Sequence, residues 1–178
     1  MIPSSWGKHA MSGYAARYVK TVDALNYRIG RLAMYLIFVM IGVLMWSSIS
    51  KTFFLPSLWT FEMAQFVMVA YYILGGPYSI QLGSNVRMDL FYGSWSPRTK
   101  AWVDAFTIFF LLFYLCVLLY GGIESTTYAI KYGERSYSSW RPLMWPIKTI
   151  MCIGIFMMIL QAISEFLKDI ARIRGQEI

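Results

Sequence analysis

The chain has 178 residues, 58% of them hydrophobic and 14% charged, which lies outside the usual composition of a soluble domain. Its polar stretches are each too short to form a catalytic domain that folds by itself. Sixteen Lys and Arg against nine Asp and Glu give a net charge of +7, but the basic residues are scattered among apolar runs, which excludes the single basic face that nucleic-acid binding needs.

In chain order, the first pattern precedes any apolar run. Tyr14, Tyr18, Val22, Leu25 and Ile29 recur at helical spacing and would line one side of a helix whose other side carries Arg17, Lys20, Asp23, Arg28 and Arg31. An amphipathic helix of this kind suits the membrane interface or the flank of a partner helix, or it is an extension of the span that follows. The first thirty residues hold no apolar core of the kind a cleavable leader needs, so the run beginning at Leu32 reads as an uncleaved start-transfer helix.

Four runs lack Asp, Glu, Lys, Arg and His altogether: Leu32 to Ser50, Met63 to Val86, Ala105 to Ile123 and Thr149 to Ser164. A bilayer core of about 30 Å takes roughly 20 helical residues to cross. The fourth run reaches that length when Leu143 to Ile147 are added and Lys148 extends to the interface. The expected fold is an all-α integral membrane protein of four transmembrane helices, with spans near 32–50, 61–84, 101–123 and 143–165. Residues 1–31 form a cytoplasmic N-terminal segment, 32–170 the four-helix domain and 171–178 a cytoplasmic tail. Eleven basic residues (five before the first span, three between the second and third, three at the end) oppose five on the other side, which places both termini in the cytoplasm. The same charge suits contact with anionic membrane lipids.

Within this frame, the short connection from Lys51 to Trp59, with Pro56, makes the first two helices an antiparallel hairpin. Gly75, Ser79 and Gly83 recur every fourth residue of the second helix and form a seam of small side chains open to close helix approach. Gly76 and Pro77 predict a kink beside it. Asn85, Arg87, Asp89, Pro97, Arg98 and Lys100 make a cytoplasmic turn, and residues 124–141 form the one sizeable extracytoplasmic segment. Trp59, Trp95, Trp102, Trp140 and Trp145 fall near span ends, as an interfacial aromatic belt requires.

The ionisable residues argue against chemistry. A charge at a span centre costs about 2.5 to 3.5 kcal/mol and marks function when it is kept, yet Glu62, Asp104, Glu124 and Glu165 all stand at span ends. The one histidine, His9, lies in the N-terminal segment, so bis-histidine haem ligation within the spans is excluded. Cys116 and Cys152 lie deep in apolar runs and read as free packing residues. No nucleophile, phosphate-loop or metal-ligand pattern appears, so neither enzyme activity nor a cofactor or metal is expected.

At Trp59-Thr60-Phe61-Glu62, then a glycine-bearing span, then Gly83-Ser84-Asn85-Val86-Arg87-Met88-Asp89, the chain resembles the small membrane subunit (the DctQ-like small permease) of tripartite ATP-independent periplasmic (TRAP) transporters. In that family a Trp and a Glu open the second helix and a Gly-x-His-Val-Arg-Val-Asp-like stretch closes it. The match carries to Glu62, Gly83, Val86, Arg87 and Asp89, while Asn85 stands where histidine is common and Met88 replaces valine. It extends over roughly 30–170 and includes the proline-bearing stretch from Trp140 to Pro146.

The resemblance implies a bacterial inner-membrane, multi-pass subunit with no catalytic role. It would pair as a heterodimer with a large membrane subunit that carries sodium and an organic acid, and meet a periplasmic substrate-binding protein transiently. Glu62, Gly75, Ser79, Gly83, Arg87 and Asp89 are the candidate interface or motif residues, and Lys131, Arg135 and Arg141 the candidate docking residues for the binding protein. Rival readings are an independent four-helix carrier and a membrane anchor or assembly subunit of another complex.

Overall fold

The computed structural model describes residues 13–82 and 97–173. They form four helices: α1 (Gly13–Phe53), α2 (Thr60–Gln81), α3 (Pro97–Tyr132) and α4 (Trp145–Ile173). No strand occurs among the described residues beyond one isolated bridge between Arg135 and Leu143.

Three of the helices are long and apolar enough to cross a membrane, over Tyr14–Phe53, Phe106–Tyr132 and Trp145–Ala171. The 22 residues of α2 reach about 33 Å, which also suffices in length. Its one charged residue is Glu62, in the first turn, and Gly75, Gly76 and Pro77 lie in its second half.

Helix α1 carries residues 13–31 into the first apolar run as one helix, the extension that the sequence left open beside a separate interfacial helix. Its 41 residues run unbroken for about 61 Å, twice a bilayer core. The buried stripe is Val19, Val22, Asn26, Gly30 and Ala33, at spacings of three, four, four and three. Of the expected stripe, Tyr14 and Leu25 are exposed instead. Asp23, expected on the outer side, turns inward.

Packing follows from small residues placed opposite large ones. Helices α1 and α2 form the expected hairpin through a six-residue connection. Gly30 meets Tyr78 and Ser47 meets Thr60, a pairing order that makes the two helices antiparallel. Gly76 faces Met158 and Gly154 faces Ile73, so α2 and α4 run parallel. The Ile73 carbonyl is the one that Pro77 leaves without its helical hydrogen bond, and Gly154 lets the α4 backbone approach at that point. Helix α3 packs antiparallel on α4 around Leu115, Ile155 and Ala162, with Gly122 against Cys152. Helix α4 therefore stands at the centre, touching α1, α2 and α3, while α3 makes its main contact with α4 alone.

Candidate functional site

At the end where α1 begins and α4 finishes, a buried polar cluster joins three helices. Gln161, 0% exposed, accepts from Asn26 Nδ2 at 2.6 Å and donates through Nε2 to Asp23 Oδ1 and Glu165 Oε1, both at 3.0 Å. Ser164 Oγ donates to the same Asp23 oxygen at 3.3 Å. Lys168 Nζ lies 2.8 Å from Asp23 Oδ2 and 2.8 Å from Glu165 Oε1. Helix α2 joins through Gln81 Nε2, which donates to the Asp23 carbonyl at 3.3 Å. A buried charge left alone is costly, and the shared ammonium together with amide and hydroxyl donors offsets that cost. Sequence reasoning missed this cluster. Its signal was the co-occurrence of Asp23 and Asn26, three residues apart on one helix, with Gln161, Ser164 and Lys168 at three- and four-residue spacing on another.

The opposite end holds two smaller arrangements. Thr60 Oγ1 donates to Ser47 Oγ at 3.1 Å, and Ser50 and Ser57 hydroxyls lie 2.9 Å apart, which ties the α1–α2 turn to itself. Above it, the connection between α3 and α4 is shorter than expected because α3 continues to Tyr132, leaving only Gly133–Met144 outside helices. Gly133, at φ 59, ends α3 with the Glu134 N–H returning to the Ala129 carbonyl, the six-to-one bond of a Schellman cap. Ser136 N–H then bonds the Pro142 carbonyl and Met144 N–H the Glu134 carbonyl, each at 3.0 Å, so the connection folds back as a miniature hairpin. Lys148 pairs with Glu134 beneath it.

Each residue singled out in the sequence has a definite place in this frame or lies outside it. Glu62, in the first turn of α2, is 6% exposed; Oε1 accepts from Ser136 Oγ at 3.1 Å, and Oε2 is buried without a hydrogen-bond partner among the described residues. A carboxylate there also suits the positive end of the helix dipole. Gly75 and Ser79 line a cleft of about 580 Å³ with Gly30, Ala33, Tyr71 and Met158. A Cβ added at Gly75 would touch nothing within 4 Å, so within this chain close approach is made at Gly30, Gly76 and Gly154 and not at Gly75. Gly83, Arg87 and Asp89 lie outside the described residues. Lys131, Arg135 and Arg141 are all exposed. Lys131 sits 5.5 Å over the Tyr132 ring, and Arg141 adopts φ 49 with its N–H on Ser138 Oγ. Cys152 packs beside Thr126, whereas Cys116 faces outward and is not a packing residue of this chain.

Around this interior the surface is oily. Leu32, Phe38 and Phe53 on α1, and Phe106, Phe113 and Tyr120 on α3, are each at least 66% exposed. A soluble monomer does not leave apolar area of that extent open to water. Exposed apolar helices long enough to cross a bilayer define a helical membrane protein.

Residues 29–172 match the family described as tripartite ATP-independent periplasmic transporters, DctQ component, and the chain belongs to that family. It is thereby the small membrane subunit of a TRAP transporter, a component that works together with others in a three-part system. Comparison with curated proteins and with solved structures gives no match.

Proposed function

We propose that the chain is a four-span, inner-membrane subunit with both ends in the cytoplasm. It acts as the fixed scaffold of a large membrane subunit in sodium-coupled, binding-protein-dependent uptake of an organic acid. The observation that carries the scaffold reading is the buried cluster around Gln161. Its carboxylates, Asp23 and Glu165, are bonded to Lys168, Gln161 and Ser164 of the same chain, which locks α1, α2 and α4 together. Groups used in this way stiffen the subunit, and these two carboxylates and the Lys168 ammonium are committed to internal bonds. A carrier needs the reverse, polar groups free to exchange partners with an ion or solute.

The heterodimer with the large subunit would bury part of the apolar surface that this chain leaves open. The cleft at Gly75 and Ser79 is the natural seat for a partner helix, since small side chains in a membrane permit close backbone approach. The geometry of Glu62 favours a role within the chain, holding the 133–144 connection through Ser136, over an ion pair across subunits. Lys131, Arg135 and Arg141 stand exposed near that connection, where complementary charge would speed encounter with an acidic patch on the binding protein.

Reconstitution tests the reading. Vesicles holding this chain alone should not accumulate a labelled organic acid under a sodium gradient, whereas vesicles holding it with the large subunit and the binding protein should. Accumulation by this chain alone would show it to be an independent carrier.

A further inference from the structure

The N-terminal part of α1 packs on the second half of α4. Tyr18 donates its hydroxyl to the Leu160 carbonyl at 3.2 Å, and Asn26 bonds Gln161, the very next residue of α4. Between them Asp23 meets Ser164 and Lys168, so residues 18–26 of α1 contact α4 over residues 160–168. These α4 residues straddle the end of the charge-free run, which Glu165 and Lys168 follow, so this stretch of α1 lies at the rim of the apolar layer.

What α1 shows on its outer side at this level is a mixture of cations and apolar groups. Val19, Val22 and Asn26 are buried against the bundle, whereas Arg17, Lys20 and Arg28 are exposed and make no ion pair among the described residues. Tyr14 (87% exposed), Leu25 (45%) and Leu32 (66%) stand on the same face, three residues before Arg17, three before Arg28 and four after Arg28. We propose that this face of α1 binds the headgroups of anionic phospholipids. Arg17, Lys20 and Arg28 hold phosphate, and Tyr14, Leu25 and Leu32 enter the acyl boundary between them. Guanidinium groups take phosphate oxygens in a bidentate fork, and long basic side chains keep their charge at the headgroups while their stems stay in apolar surroundings. The arrangement would fix the level at which the bundle sits in the membrane. The inference rests on reading α1 and α4 as spans.

The test uses the full chain in lipid nanodiscs of equal phosphatidylglycerol and phosphatidylcholine, with the retained lipids counted by native mass spectrometry. The wild-type chain should be enriched in phosphatidylglycerol, and R17Q/K20Q/R28Q should lose that enrichment by roughly five-fold per charge removed. R17K/R28K should keep most of it, and K131Q/R135Q/R141Q, changed at the other end, should keep all of it. Helical circular dichroism identifies any variant that fails to fold, in which case the single R28Q variant gives the reading. Equal phosphatidylglycerol enrichment in wild type and triple variant would overturn the proposal. So would unchanged enrichment accompanied by loss of the large subunit on co-purification, which would assign the face to a protein. Lipid counting is indifferent to which side of the membrane the N-terminus occupies, so an error in the topology and an error in the site give different results.

Discussion

Lys168 holds two carboxylates at once, and its removal should reveal how the polar cluster is balanced. K168M would leave Asp23 and Glu165 half-buried without their cation, at a cost of about 2 kcal/mol, below the full range for deeply buried pairs because all three side chains keep some exposure. The double variant D23N/K168M should lie closer to wild type than K168M, since one of the uncompensated charges is gone. Thermal midpoints in detergent, followed by tryptophan fluorescence, check this; strictly additive losses would mean that the two residues do not share a network. At the other end, S136A and E62A should each loosen the 133–144 connection by about 1 kcal/mol, seen as faster amide exchange of Ser136 and Met144 with the helices unchanged. The sequence placed Glu62 in the first turn of α2 but could not supply Ser136 as its partner, because the two are 74 residues apart and meet only when the connection folds back.

Among helices, glycine separates positions by context in a way that spacing alone does not. The regular Gly75, Ser79 and Gly83 series stood out in the sequence, yet the contact that joins α2 to α4 is made by Gly154, an isolated glycine with no motif around it. A Cβ at Gly154 would lie 2.2 Å from Ile73 Cγ2 and 3.1 Å from the Ile73 carbonyl oxygen, so G154A must push backbone from backbone and should cost about 1 to 3 kcal/mol in the isolated subunit. G75A meets open space and should leave the isolated subunit unchanged, while the bulkier G75L should reduce co-purification with the large subunit if a partner helix sits in the cleft. Comparing the two sites by thermal midpoint and by pull-down distinguishes a seam inside the chain from one between chains. Helix existence was legible because charge-free runs of sufficient length leave few alternatives to a helix in a membrane. Helix ends were less so: α1 and α3 continue well past their apolar runs, since polar residues such as Asp23, Asn26 and Lys131 are compatible with helix once a neighbour or water satisfies them.

For the molecule as a whole, composition alone identified a membrane protein, and the order of residues around Glu62 and Arg87 pointed to the family. The arrangement of helices was not legible, because an all-round apolar helix carries no mark of which side meets a neighbour and which meets lipid. If both ends lie in the cytoplasm, single cysteines at Ser139 and at Lys20 should label from opposite sides of intact cells; labelling of both from outside would refute that topology. The native Cys116 and Cys152 must first be replaced, and C116S should be neutral given its outward position.

Among the described residues α3 makes its main contact with α4, and this bears on how the chain is made. The third helix leaves the ribosome before its main neighbour has been synthesised, so it enters the bilayer with no companion and must wait there. During that interval each of its sides has to be acceptable to acyl chains, which explains the wide exposed apolar arc that Phe109, Phe106, Phe110, Tyr114 and Leu118 make around it. Its docking must then rely on the fit of Leu115 and Gly122 against a helix that arrives last, making α4 the piece whose insertion completes the subunit.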